Sequence, residues 1–122
     1  MLGPGRSGNE LDAVGGRDAG SAIFRLTLIK TTFTELLGIE HPIALAGMAG
    51  DTTPELVAAV TNAGGLGILG VTDHEPARLD GAVADIRQRT QGKFGLNLLL
   101  TFMTDEEIDL VLATRPPVFS TA

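Results

Sequence analysis

Residues 43–70, IALAGMAGDTTPELVAAVTNAGGLGILG, constrain the fold more than any other part of this chain. They hold a short apolar run, a glycine-bearing turn, a helix pattern, a glycine stop and a second apolar run. Thr53 is placed to cap the helix, and Pro54 falls at N1, where its missing N–H costs nothing. Leu56, Val57 and Val60 form the expected buried stripe, and Gly64 suits the left-handed residue after the last turn. Together these segments read as one βαβ unit.

The unit recurs. A second helix pattern follows, with Asp73 as a candidate cap and Leu79, Val83 and Ile86 on one face. Arg87 and Arg89 there complement the C-terminal dipole. In the third, Thr104-Asp105-Glu106-Glu107 has the form of a capping box, Ile108, Val111 and Leu112 form the inner face, and Pro116 ends it. Between the helices lie strand candidates at residues 43–46, 66–69, 94–100 and 118–120. They are near-continuous apolar runs, as expected of parallel strands covered on both faces. Unit starts near residues 42, 66, 94 and 116 give intervals of 24, 28 and 22 residues. Regular βα units of this size predict a parallel sheet, either doubly wound or curled into a (β/α)8 barrel. A full barrel takes about 250 residues, so four strands and three helices make about half of one. The expectation is therefore a truncated barrel whose open sheet edge invites pairing or self-association.

The first 21 residues are glycine-rich and aperiodic, and are expected to form a disordered tail ahead of a partial barrel domain over residues 22–122. From residue 24 to 37 the chain turns apolar, with Phe33, Leu36 and Leu37 at helical spacing and Gly38 closing a short helix or turn. With nine Lys and Arg against fifteen Asp and Glu, the formal charge is −6, which excludes a nucleic-acid binder resting on a basic patch. The absence of Cys excludes disulfides, thiol catalysis and Cys-ligated metal sites. No apolar run approaches the ~20 residues that span a bilayer. A cytoplasmic protein is the default expectation.

Gly65-Leu66-Gly67-Ile68-Leu69-Gly70 matches G-x-G-x-x-G, but in the wrong place. The dinucleotide fingerprint needs its glycines between a strand and the following helix, whereas these follow a helix and become the strand. A helix stop and close packing explain them better. The turn at residues 46–50, Ala-Gly-Met-Ala-Gly, lies after a strand and before a capped helix, at the edge where parallel α/β proteins bind ligands. Small side chains there let a flat ring approach main-chain N–H groups, although a plain βα loop has the same composition. Asn97 interrupts an apolar strand, and its amide needs partners from backbone, water or a ligand. His41 falls at the opposite edge, and His74 lies beside a predicted cap with no acid–base partner in view. The acidic residues 105–107 are explained by their place in the first turn of a helix, so neither a metal site nor a catalytic residue is assigned.

Thr32-Phe33-Thr34-Glu35-Leu36-Leu37-Gly38-Ile39-Glu40-His41-Pro42-Ile43, then Ala46-Gly47-Met48-Ala49-Gly50, resembles the opening of the nitronate monooxygenase family, formerly the 2-nitropropane dioxygenases. Residues 53–60, 62–67 and 94–97 continue the pattern in order. The resemblance implies an FMN-binding TIM barrel that oxidises alkyl nitronates with O2 to a carbonyl compound and nitrite. It implies cofactor contacts at Gly47, Met48 and Ala49, where the family usually has Pro-Met-Ala, and at Asn97. Gly47 in place of Pro departs from that pattern. The resemblance also implies that the family's catalytic His and phosphate loops lie beyond residue 122, since neither His41 nor His74 matches that His. Flavin-dependent enoyl-acyl-carrier-protein reductases share the pattern and give an alternative, and a non-catalytic fragment or interaction module gives another.

Overall fold

The computed structural model describes residues 29–71 and 76–122. The expected tail, Asp73 and His74 lie outside these residues. The fold is α/β, with parallel βα units in the order of a (β/α)8 barrel.

A short helix α1 (Thr32–Leu37) opens the described chain under a reciprocal cap between Thr31 and Thr34. Gly38, at φ 67°, closes it in the left-handed conformation that glycine adopts without strain. Helix α2 (Pro54–Asn62), capped by the Thr53 side chain on the Leu56 N–H, leads to strand β1 (Gly67–Gly70). Helix α3 (Pro76–Arg89) leads to β2 (Phe94–Leu98). Helix α4 (Asp105–Ala113) leads to β3 (Val118–Thr121). The strands form one parallel sheet in the order β1-β2-β3. Parallel neighbours require a crossover, and α3 and α4 supply the two crossovers.

The first expected strand, at residues 43–46, is reduced to a single parallel bridge between Ala44 and Leu66. Two ladder bonds form, Leu66 N–H to the Ile43 carbonyl and Leu45 N–H to the Leu66 carbonyl, each 2.9 Å. Beyond them the chain leaves the edge of β1, because residues 47–49 fold over the end of the sheet. Strand β2 stops at Leu98 rather than at residue 100. A 3-10 turn (Leu100–Phe102) begins there, and the Leu100 N–H donates to the Ala122 carbonyl.

Along β2, side chains alternate between two faces. Phe94, Leu96 and Leu98 join Leu69, Val71, Val57, Leu79, Val83, Ile86 and Val111 in the core beneath the helices. Leu79, Val83 and Ile86 are buried as expected, and each contributes about 1.5–3 kcal/mol. The inner face of α2 differs from expectation: Val57, Ala58 and Thr61 are buried, while Leu56 is 39% exposed. Gly67 explains the rotation. A Cβ there would overlap the Val57 carbonyl oxygen and crowd the Thr61 hydroxyl, so the helix backbone lies directly on the strand. Only small or hydrogen-bonded side chains fit that seam. The Thr61 hydroxyl donates to the Val57 carbonyl at 2.9 Å and accepts the Gly67 N–H at 3.2 Å. In α4, Val111 is buried and Ile108 partly so, whereas Leu112 is turned outward and 47% exposed.

Arg89 joins Asp85 on its own helix to Glu55 on α2, with N–O distances of 2.8 and 3.0 Å. The Asp85 hydrogen bond leads in raising the Arg89 pKa. These groups are well exposed, so the pairs fix orientation more than they stabilise. Among the described residues no helix is long and apolar enough to cross a membrane.

Candidate functional site at the carboxyl ends of the strands

The carboxyl ends of β1 and β2 lie beneath the turn that the sequence singled out. Gly70 and Asn97 are register partners at the ends of their strands, and Asn97 in turn pairs with Ser120 on β3. Residues opposite one another in a parallel sheet project to the same face, so Gly70, Asn97 and Ser120 form a row. The turn at residues 47–49 rests on two members of that row. A Cβ built on Gly47 would lie 2.5 Å from the Asn97 Cβ, 3.1 Å from its Cγ and 3.2 Å from its Nδ2. A Cβ on Gly70 would overlap the backbone nitrogen of Ala49. Both glycines are there because main chain packs where side chains would stand.

The three turn residues and Asn97, separate in sequence, therefore form one cluster. Met48 is 45% exposed, and Ala49 begins a 3-10 turn (Ala49–Asp51) with φ at 37°, in a region that non-glycine residues rarely occupy. The Asp51 N–H closes the turn on the Met48 carbonyl at 2.8 Å. Among the described residues, the N–H groups of Met48, Ala49 and Gly50 have no hydrogen-bond partner, and neither does the Asn97 side-chain amide. These are the first orphan donors of a helical turn, gathered beside a half-buried amide that can donate and accept. Such an arrangement suits a flat heterocycle whose polar edge carries acceptors.

Sequence reasoning missed Thr52. Its hydroxyl accepts the Gly70 N–H at 2.9 Å and donates to the Ala49 carbonyl at 3.2 Å. At 2% exposure it pins the turn to the end of β1. Two adjacent threonines precede α2, and composition cannot say that Thr53 caps the helix while Thr52 fastens the site.

The other candidates fall away from this rim. His41 donates its backbone N–H to the Gly64 carbonyl at 2.9 Å, at the opposite end of β1 as expected. Glu107 accepts the Thr104 N–H at 2.8 Å in the expected capping box, and those bonds hold its pKa below the usual glutamate range. The glycine run at residues 65–70 is structural: Gly67 admits α2 and Gly70 admits the turn.

The family model for nitronate monooxygenase matches residues 30–114, most of the described chain and the whole of this rim apart from β3. This chain belongs to the nitronate monooxygenase family. A probable nitronate monooxygenase from Staphylococcus aureus is 45% identical over 71 residues, which is 58% of this chain and 20% of that protein. The chain thus spans about a fifth of the length of the curated relatives it matches. Among solved structures, FabK from Thermotoga maritima matches with a TM-score of 0.71 and 39% identity over 76% of this chain and 30% of its own. Nitroalkane oxidase from Streptomyces ansochromogenes matches with a TM-score of 0.50 and 34% identity over 57% of this chain and 20% of its own. Membership in the family and likeness to these TIM-barrel proteins agree with the parallel βα order described above.

Proposed function

We propose that this chain contributes the first part of a flavin site to an oxidoreductase that converts alkyl nitronates and O2 into carbonyl compound and nitrite. One observation carries the reading: three consecutive unpartnered N–H groups, Met48 to Gly50, stand beside the unpartnered Asn97 amide at the carboxyl rim of a parallel sheet. Family membership supports a flavin as the ligand of that rim, and we take that flavin to be FMN. Bound there, FMN would supply the electron transfer between nitronate and oxygen.

The residues of this chain bind and orient. Gly47 leaves the space over Asn97 open to main chain, and Thr52 holds the turn against the end of β1. Met48 presents an exposed, polarizable side chain next to the donors, suited to lying against a ring. No catalytic acid or base is assigned among the residues of this rim. Purified chain supplied with FMN and a nitronate tests the activity by oxygen uptake and nitrite release, and absence of both argues against turnover by these residues.

The sequence pattern shared with flavin-dependent enoyl-acyl-carrier-protein reductases supports a second reading, reduction of an enoyl thioester. The same preparation would then consume a nicotinamide reductant with an enoyl thioester and release no nitrite from a nitronate.

A further inference from the structure

On the face that carries Gly70, Asn97 and Ser120, polarity changes along the strands. One step toward the amino ends, the row is Ile68, Gly95 and Val118. It is apolar and closely packed: a Cβ on Gly95 would lie 3.3 Å from the Ile68 Cγ1 and 3.5 Å from the Val118 Cβ. The next row, at the carboxyl rim, holds an amide and a hydroxyl on neighbouring strands. Parallel strands lie about 4.8 Å apart, so one planar ring reaches both groups.

On β3 itself, Val118 and Ser120 are partly covered while Phe119 and Thr121 are exposed. Among the described residues the Ser120 hydroxyl has no hydrogen-bond partner. It is thus a second neutral donor and acceptor in the row that the turn covers.

We propose that Ser120 is a ligand-positioning residue of this rim, its hydroxyl hydrogen-bonding the polar edge of the flavin ring next to the Asn97 contact. The inference rests on the reading of the rim as a flavin site. It adds a third strand to that site and fixes the ring across β2 and β3 rather than over β1 alone.

Fluorescence titration of the full chain with FMN tests it. S120A is expected to weaken binding roughly 3- to 10-fold, the loss of one hydrogen bond. S120T keeps the hydroxyl and is expected to bind within about twofold of the parent. T121A, on the opposite face of the same strand, is expected to leave affinity unchanged. If S120A does not fold, S120C replaces it: the thiol is a weak donor of similar size, and binding equal to the parent overturns the proposal. Wild-type binding with N97A weakened and S120A unaffected removes Ser120 from the site and leaves the flavin reading intact. No binding by the wild-type chain removes the flavin reading, and the role of Ser120 falls with it.

Discussion

Gly47 and Asn97 occupy touching positions: a Cβ on the first would lie 2.5 Å from the Cβ of the second. The strand asparagine leaves no room for a side chain at residue 47. The G47A variant has to displace either the turn or the Asn97 side chain. Overpacking of this kind costs about 1–3 kcal/mol, and chemical denaturation should show a loss in that range. An unchanged midpoint would mean that the turn has slack that the packing does not show.

Thr52 offers a cleaner test of how the rim is held. The T52V variant keeps the shape but leaves the buried Gly70 N–H without its acceptor, at a cost of about 1–3 kcal/mol. T52S retains the oxygen and should recover most of the difference. Equal losses in both variants would point to the methyl group, and so to packing rather than the hydrogen bond.

Gly67 and Gly81 should respond in opposite directions. A Cβ at residue 67 overlaps the Val57 carbonyl oxygen, whereas at residue 81, on the exposed face of α3, nothing lies within 4 Å. G67A should therefore destabilise by forcing α2 off β1. G81A should stabilise by about 0.5–1 kcal/mol through helix propensity. Thermal melts of the two variants check both signs.

The Glu107 cap should give stability a specific pH dependence. Its folded pKa is lowered by the hydrogen bonds to the Thr104 backbone and side chain. The cap therefore stabilises fully above the ordinary glutamate range and is lost as pH falls through the lowered folded value. E107Q keeps an acceptor that does not titrate, so the stability difference between it and wild type should change across that acidic window and stay constant near neutrality. A parallel pH profile for the two proteins would remove Glu107 as a contributor.

What the sequence made legible was local chemistry. The caps at Thr53 and Thr104, the left-handed glycines Gly38 and Gly64, and the buried trio on α3 follow from spacing and residue type alone. The parallel order followed from the interval between units. Leu56 and Leu112 were misplaced because each lies one residue from a buried neighbour, and the rotation of a helix against its sheet is a tertiary matter. On α2 that rotation is set by Gly67, which periodicity does not weigh. The candidate site was half legible. Gly47, Met48 and Ala49 stood out as a small-residue turn between a strand and a capped helix, with the family resemblance naming them, and Asn97 as a polar break in an apolar strand, but Thr52 and Ser120 join them only through strand register and a crossing turn.

The most direct measurement follows the amide signals of 15N-labelled chain during titration with FMN. Saturable shifts at the Met48, Ala49 and Gly50 N–H groups and at the Asn97 side-chain amide, with the α3 and α4 helices undisturbed, are the predicted result. Shifts confined to other parts of the chain, or none at millimolar FMN, would contradict a flavin site at this rim.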